Sequence, residues 1–199
     1  MSFIHFCLRA VSLAGHGPPY VTKANKGYLR GFTYDYMASI AGEFFAEVVR
    51  HRISRKGIER VKIHKNNGQR VILFSGMPDF LLKNFAELLG VNEYYGSVME
   101  IRDGKFTGRT LGTFPLGKGK INALEEIIGG KYPTSHFATG NLADASRKSP
   151  VEWADITFYA DHWLDRYLLE KVGHPVAVNP GEKLRRLAES TAWPIEIFD

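Results

Sequence analysis

The chain has 199 residues, 44% of them hydrophobic and 24% charged, which is the ordinary composition of a soluble protein with one full domain and a small additional lobe. Its 26 Lys and Arg outnumber its 21 Asp and Glu, but most are scattered, so the charge argues against a nucleic-acid groove and indicates a mild preference for anionic ligands. The single cysteine, Cys7, excludes an internal disulfide and a cysteine-rich zinc site. No apolar run could span a bilayer and the start does not resemble a signal peptide, so we expect a cytoplasmic protein without membrane or nucleic-acid partners.

Residues 1–56 are predicted to form a helical lobe. Residues 3–14 fit both an alternating strand pattern and a longer helical pattern, and we favour the helix because more apolar positions match it. Residues 34–53 have a clean apolar helix face, and the basic residues at their end suit the helix dipole. We expect this lobe to cover the carboxyl edge of a sheet formed by the rest of the chain, as lids do.

Residues 57–199 are predicted to form an α/β core, because strands alternate with helices from residue 70 onward. This alternation indicates a mainly parallel sheet with helices on both faces. The elements expected in chain order are a strand over 70–74, a helix over 78–89 stopped by Gly90, a hairpin from Ser97 with its turn at Asp103 and Gly104, a helix opening at 117–120, a surface loop or insertion over 129–150, a strand around 156–159, a short helix over 164–171, a strand over 175–178, a helix to Ala188 and a final strand over 194–198.

Two carboxylates follow the predicted strand around residues 156–159. Asp161 would lie at the carboxyl end of this strand, where open α/β sheets bind ligands, and Asp165 would face the same way if a helix starts near His162. Two neighbouring carboxylates need a cation, a lysine or solvent between them. The alternative is that Asp161 only caps the helix and Asp165 is a solvated helix residue. His162 is interpreted as a surface or pocket-lining residue, since no second histidine has ligand spacing.

Four further residues are candidates for anion binding. Ser75 follows a buried strand and precedes a helix, so its hydroxyl and the amide of Gly76 would lie near a helix N-terminus, unless Ser75 is an ordinary capping serine. Lys118 and Lys120 lie at the start of another helix, where a cation opposes the helix dipole. A nearby anion would offset that cost, whereas a solvated lysine would need none.

Five segments in this order resemble the haloacid dehalogenase superfamily, and most closely its phosphoserine-phosphatase-like branch. These are VILFSGMPDFLL, DGKFTGR, GKGKINAL, YADHWLDRYLL and VGHPVAVNPGEKLRRLAESTAWPI. The resemblance as a whole extends over residues 70–199. Each segment alone is a weak signal, but their shared order is specific. The resemblance implies a Rossmann-like parallel sheet with a small helical cap.

The resemblance also implies a Mg²⁺-dependent phosphomonoester hydrolase that acts on a small phosphorylated metabolite through an aspartate nucleophile. In this scheme Ser75 holds a phosphoryl oxygen with help from the Gly76 amide, and Lys118 or Lys120 neutralises phosphate and nucleophile charge. Asp161 ligates Mg²⁺, and Asp165 either supports the metal or orients the lysine. A hard cation held by one or two carboxylates plus phosphate oxygen would also explain the acid pair.

The chain departs from this family at its nucleophile. Members open with a strand ending in a DxDxT-type motif, but the first aspartate here is Asp35, without a preceding strand or a second acid two positions on. MSFIHF resembles the segment that normally follows the motif, so we expect the chain to start just downstream of the catalytic strand. That strand lies between those ending at Ser75 and Asp161. The gap could be filled by the first residues, by a neighbouring chain, or by collapse of the flanking strands.

The resulting expectation is a chain with marginal stability and little phosphatase activity, both restored by an upstream DxDxT strand. The alternative function is that of a non-catalytic relative that binds phosphorylated ligands or another protein. Neither the substrate nor the oligomeric state is predicted by the sequence.

Overall fold

The computed structural model describes residues 3–6, for their backbone, and residues 26–133 and 151–198. The strands are β1 (Phe3–Phe6), β2 (Arg70–Pro78), β3 (Glu93–Arg102), β4 (Lys105–Leu111), β5 (Ile156–Ala160), β6 (His174–Val178) and β7 (Ile195–Glu196). The helices are α1 (Tyr34–Phe44), α2 (Arg55–Asn66), α3 (Asp79–Leu89), α4 (Gly119–Ile128), α5 (Arg166–Leu169) and α6 (Glu182–Ser190). No helix in these described ranges is long and apolar enough to cross a membrane.

The described strands form one seven-stranded sheet in the order β4–β3–β2–β1–β5–β6–β7. Neighbouring strands are parallel except for β3 and β4, which form an antiparallel hairpin. Arg102 pairs with Lys105, and Asp103 and Gly104 between them both have positive φ, as a two-residue turn requires. The predicted mainly parallel α/β sheet and its hairpin are therefore confirmed.

The strand β1 corrects the prediction of a helix over residues 3–14. Residues 3–6 pair in parallel with β2 on one side and β5 on the other, so they occupy the central position of the sheet. The physical reason is that a gap between β2 and β5 would leave buried peptide groups unpaired at about 1–3 kcal/mol each. Of the three expected ways to fill this gap, the use of the first residues is the one observed. Residues 7–14 of the predicted helix and residues 134–150 of the predicted loop lie outside the described residues.

Helices cover both faces of the sheet. Side chains of alternating residues point to opposite sides of a strand, so neighbouring residues of β2 pack on different faces. Ile72 and Phe74 of β2 pack with α4, α5 and α6, whereas Val71 and Leu73 pack with α2 and α3. All four side chains are buried, and a strand that is buried on both faces has the continuous apolar sequence seen here. At the end of α3, Gly90 adopts the left-handed conformation with a φ of 58°, which explains why the helix stops at the predicted place.

The described part of the predicted lobe, residues 26–53, is helical. A 3₁₀ turn at Gly27–Leu29 precedes α1, and π-helical and 3₁₀ turns at Phe45–Val49 and Arg50–Arg52 follow it. This segment packs on α3 and on the hairpin, with Phe45 against Phe85 and Tyr34 against Phe80 and Phe106. The boundary at residue 56 and the covering of the carboxyl edge stay predictions.

Candidate functional site

Ser75 and Asp161 lie at the same edge of the sheet. Phe6 of β1 pairs with Leu73 on one side and with Tyr159 on the other, and the two polar residues each lie two positions further along their chains. Because β2 and β5 are parallel and separated only by β1, the two residues lie at the same edge of the sheet. The prediction that they share the carboxyl edge is confirmed.

A local irregularity in β2 positions Ser75 and Gly76. Phe74 pairs with Tyr95 and Pro78 with Ser97, so residues 75–77 lie opposite the single residue Gly96 of β3. Such bulges redirect side chains and backbone groups at the end of a strand. The Ser75 hydroxyl oxygen accepts a hydrogen bond from the backbone N–H of Met77 at 3.3 Å, which leaves its own proton to donate elsewhere.

Two hydrogen bonds from buried side chains hold this bulge in place. The Ser97 hydroxyl donates to the carbonyl of Gly76 at 2.9 Å, and the Tyr132 hydroxyl donates to the carbonyl of Gly96 at 2.9 Å. Burial raises the pKa of Tyr132, so its hydroxyl stays protonated and remains a donor. Gly96 is required because an added Cβ would lie 2.7 Å from Cα of Asp79. The roles of Ser97 and Tyr132 were not predicted from the sequence, because they depend on contacts between residues that are distant in sequence.

The segment before α4 packs against the bulge. A Cβ on Gly76 would lie 3.4 Å from the carbonyl oxygen of Pro115, so the two backbones are close neighbours. From there the chain makes a tight turn, in which a Cβ on Gly119 would be only 2.4 Å from the carbonyl oxygen of Phe114. This turn leads directly into α4. It therefore places the start of α4, with the two candidate lysines, close to the end of β2 that carries Ser75.

Lys120 and Asp165 form a buried ion pair. The Nζ of Lys120 is 2.8 Å from Oδ1 of Asp165, and the side chains are only 4% and 5% exposed. The ring of Phe158 lies beside the ammonium group, 5.5 Å from its centroid. Of the two alternatives left open for a lysine at this helix start, a nearby anion or solvent, Lys120 has the nearby anion, which is Asp165. The alternative interpretation of Asp165 as a solvated helix residue is wrong.

Lys118 has a different environment from Lys120. Its side chain is exposed, and its Nζ lies 5.3 Å from the centroid of the Tyr167 ring. Of the two candidate lysines, Lys120 is thus the one that the structure brings to Asp165, and Lys118 lies outside this pair.

The segment between β5 and α5 has its cap at His162. The Nδ1 of His162 accepts a hydrogen bond from the backbone N–H of Leu164 at 3.1 Å, at the start of a 3₁₀ turn over Trp163–Asp165. The interpretation of Asp161 as the cap of this turn is therefore wrong, because the capping acceptor is the next residue. Asp161 is half-buried and follows directly on the last residue of β5.

Lys26 is a further buried cation near this edge that was not predicted from the sequence. It is 6% exposed, and its Nζ lies 5.7 Å from the centroid of the Phe114 ring. Phe114 also lies beside Gly76, since its Cζ would be 3.5 Å from a Cβ at that position. Lysines are rarely buried in this way. The burial of Lys26 marks it as a candidate, and that burial is evident only in the folded structure.

The donor set at this edge fits Mg²⁺ bound together with a phosphate. Mg²⁺ is usually held by one or two carboxylates, with phosphate oxygens and water as the remaining ligands. Within residues 26–133 and 151–198, no three His, Cys, Asp or Glu side chains are grouped so that they could hold a metal by themselves. A carboxylate from Asp161 completed by ligand oxygens is compatible with this arrangement, whereas a closed cage of protein ligands is not.

The haloacid dehalogenase-like hydrolase family model matches residues 8–170 of this chain. That match covers well over half of the chain, and the fold described above agrees with it. The chain belongs to the haloacid dehalogenase-like hydrolase family.

The chain is similar to two proteins named as phosphatases and to one solved structure. The chain is 28% identical over 171 residues to phosphoserine phosphatase SerB1 of Mycobacterium tuberculosis, covering 86% of this chain and 50% of that protein. It is also 28% identical over 171 residues to a histidinol-phosphatase of Neisseria meningitidis serogroup C, covering 85% of this chain and 70% of that one. A protein of unknown function from Bordetella pertussis Tohama I has a similar structure, with a TM-score of 0.71, 25% identity, and coverage of 85% of this chain and 70% of that chain. The chain thus spans about half the length of the mycobacterial relative.

Proposed function

We propose that this protein is a Mg²⁺-dependent phosphomonoester hydrolase that acts on a small phosphorylated metabolite. The observation that carries the proposal is the buried Lys120–Asp165 ion pair at the carboxyl edge that Ser75 and Asp161 share. Family membership and the phosphatases among the relatives agree with it. Phosphoserine and histidinol phosphate, the compounds in the relatives' names, are the first candidates to test.

A buried ion pair is costly to maintain, which is why its position argues for chemistry. Removing two charges from water costs several kcal/mol each, and well-packed apolar residues would often be as stable or more stable. A lysine held by Asp165 at a ligand-binding edge offers a fixed positive charge in a region of low dielectric constant. Such a charge stabilises a phosphoryl group and the negative charge that develops on it during transfer.

Each residue has a proposed role at the phosphate. The Ser75 hydroxyl, which already accepts from Met77, donates its proton to one phosphoryl oxygen, and the N–H of Gly76 donates to another. Lys120 neutralises phosphate charge, and Asp165 orients Lys120 through their 2.8 Å contact. This assignment uses the second of the two roles expected for Asp165 and leaves Asp161 as the carboxylate for Mg²⁺. When bound, Mg²⁺ would supply neutralisation of phosphate charge and alignment of the phosphoryl oxygens.

A second candidate function uses the same edge without hydrolysis. The DxDxT-type motif that carries the nucleophile in this family does not occur within residues 1–199, whereas the roles proposed for Ser75, Gly76 and Lys120 concern phosphate binding alone. The same edge could serve a non-catalytic relative that binds phosphorylated ligands or another protein. Binding and hydrolysis have to be measured separately to distinguish the two.

The test uses residues 1–199 and measures inorganic phosphate binding in the presence of Mg²⁺ by calorimetry, together with phosphate release from phosphoserine and histidinol phosphate. We expect Asp161→Asn to weaken Mg²⁺ binding by at least about tenfold, the scale of a lost charged ligand. Asp103→Asn is the matched control, because it removes one carboxylate from an exposed turn where asparagine tolerates the positive φ of 50°.

The outcomes separate the two functions. Hydrolysis that Asp161→Asn abolishes and Asp103→Asn leaves intact would support the enzyme. Phosphate binding that depends on Asp161, without hydrolysis by residues 1–199 or by the chain extended upstream with a DxDxT-type strand, would support the non-catalytic relative. If phosphate and Mg²⁺ do not bind, or bind equally well to Asp161→Asn, both proposals are wrong.

A further inference from the structure

We propose that Lys118 and Arg166 form a second anion subsite beside the phosphate position, so that the preferred ligand is a small phosphomonoester with an additional anionic group such as a carboxylate. This inference rests on the proposed function, because it assumes that Lys120 and Asp165 mark the phosphate position. It assigns a role to a cation pair that the proposed phosphate chemistry does not use.

The two cations are adjacent to the buried ion pair in sequence and in space. Lys118 precedes Lys120 by two residues, and Arg166 directly follows Asp165. The segments that carry them are also neighbours, since a Cβ on Gly117 would lie 4.0 Å from the carbonyl oxygen of Leu164. The subsite therefore flanks the Lys120–Asp165 pair rather than occupying a separate surface.

Both cations lie against the same aromatic ring. The guanidinium carbon of Arg166 is 3.9 Å from the centroid of the Tyr167 ring, and Nζ of Lys118 is 5.3 Å from it. The two charges are thus at most about 9 Å apart, which is within one Debye length at about 0.1 M salt. Two like charges at this separation repel, and an anion between them would reverse the sign of that contribution.

Arg166 is held in a fixed orientation before any ligand binds. Its guanidinium group also stacks on Trp163, with 4.3 Å between the guanidinium carbon and the ring centroid. It donates to the carbonyl oxygen of Trp163 at 3.2 Å and to the hydroxyl of Tyr167. Because arginine has five N–H donors, three remain for a ligand. A guanidinium that is oriented in advance loses little side-chain entropy when it binds a carboxylate.

The protein supplies no carboxylate to this cation pair within its described part. Neither Lys118 nor Arg166 forms an ion pair with any residue of 26–133 or 151–198, whereas Lys120 pairs with Asp165 at 2.8 Å. The cation–π contacts stabilise the positions of the two side chains but leave their charges uncompensated. An anionic group that extends from the bound phosphomonoester would compensate them.

The test compares ligands that differ only in a carboxylate, at two distances from the phosphate. The probes are ethyl phosphate against phosphoglycolate and phenyl phosphate against 4-carboxyphenyl phosphate, titrated calorimetrically into residues 1–199 with Mg²⁺ at low ionic strength. We expect at least one carboxylate-bearing probe to bind about tenfold more tightly than its partner, as a charge-assisted hydrogen bond provides. In Arg166→Met and Lys118→Met this ratio should fall toward one.

The control is Arg186→Met, which removes one positive charge from an exposed arginine that pairs with Glu182 on α6. Arg186→Met should keep the wild-type ratio, and thermal unfolding should show that each variant is folded. If phosphomonoesters bind but the carboxylate adds nothing at either distance, or if Arg186→Met lowers the ratio as much as Arg166→Met, the subsite is wrong while the proposed function stands. If none of the probes binds, the proposed function fails and the subsite fails with it.

Discussion

The carboxyl edge of the sheet and the face beneath α2 each contain an ion pair. The two pairs differ in the fraction of their side chains that is exposed to water. At the carboxyl edge, Lys120 and Asp165 are about 95% buried. Beneath α2, Arg60 pairs with Glu196 of β7 at 2.8 Å, with the side chains 35% and 24% exposed. The first pair connects two segments around a candidate site, and the second fastens a helix to the last strand.

The α2 cluster consists of Arg60, His64, Gln69, Tyr159 and Glu196. In it, His64 lies between Gln69 and Tyr159, with contacts of 2.6 Å from Nδ1 to Oε1 and 2.8 Å from Nε2 to the tyrosine hydroxyl. Burial raises the pKa of Tyr159 to about 12 and lowers the pKa of His64, so a protonated tyrosine donates to a neutral imidazole. This cluster satisfies its own hydrogen bonds and requires no ligand.

The two ion pairs distinguish polar groups that only support the fold from polar groups for which we propose a role in ligand binding. An exposed pair contributes about 0–1 kcal/mol to stability, because water screens it and its side chains lose entropy. A buried pair depends much more strongly on both partners, because either charge alone would be left in a region of low dielectric constant. The following variants test this difference.

The largest effect is expected for Lys120→Met. The variant leaves Asp165 buried without its partner, so the free energy of unfolding should fall by about 3–5 kcal/mol, measured by urea denaturation. The double variant Lys120→Met, Asp165→Leu should recover most of this loss, because no uncompensated charge remains. A loss below about 1 kcal/mol in the single variant would mean that water reaches this pair after all.

A smaller effect is expected for Ser97→Ala, which removes the hydrogen bond to the carbonyl of Gly76. Ser97 is 2% exposed, so the free energy of unfolding should fall by about 1–2 kcal/mol, and phosphate binding should weaken because the bulge that positions Ser75 loosens. Ser190→Ala is the matched control, since it removes a 2.8 Å bond from serine to carbonyl on an exposed helix end. Equal losses in both variants would contradict a special role of the bulge.

In the α2 cluster, Arg60→Met should lower the free energy of unfolding by less than about 1 kcal/mol. Its effect should shrink further in about 1 M salt, where exposed charges are screened, whereas the Lys120→Met effect should persist. Denaturation of both variants at low and high salt measures the difference. A salt-independent loss of several kcal/mol in Arg60→Met would place this pair in the same class as the buried one.

The smallest change is expected in the pH dependence of stability through His64. Its folded pKa lies below the ordinary value of about 6.5, so the unfolded chain binds protons more readily. The stabilisation by neutral His64 is therefore fully present above about pH 6.5 and is lost as the pH falls through the folded pKa. Denaturation midpoints over this pH range should fall less in His64→Gln than in the wild type. An unchanged slope in His64→Gln would contradict this assignment.

Several elements were predictable from the sequence because their causes are local. The turn at Asp103 and Gly104, the end of α3 at Gly90 and the buried strands around residues 70–74 and 156–159 each follow from a few neighbouring residues. The carboxyl edge as the common position of Ser75 and Asp161 also followed, because parallel strands end at the same side of a sheet. Their chemical roles stay predictions.

Other features could not be predicted because two distant segments had to meet first. The pattern of residues 3–6 fits a helix or a strand, and the observed strand depends on unpaired peptide groups of β2 and β5 more than 60 residues away. Lys118 and Lys120 are almost equivalent in sequence, yet only Lys120 reaches Asp165. The supporting bonds of Ser97 and Tyr132 likewise cross from one segment to another.

The sequence by itself therefore determined the class of fold, the order of the elements and the edge at which polar residues collect, since periodicity and turn chemistry act over a few residues. Tertiary structure alone decided which segment became the central strand, which lysine was buried and which aspartate it met. The physical reason is that the cost of burying a charge or a peptide group is set by its partner, and that partner is supplied only when the chain has folded.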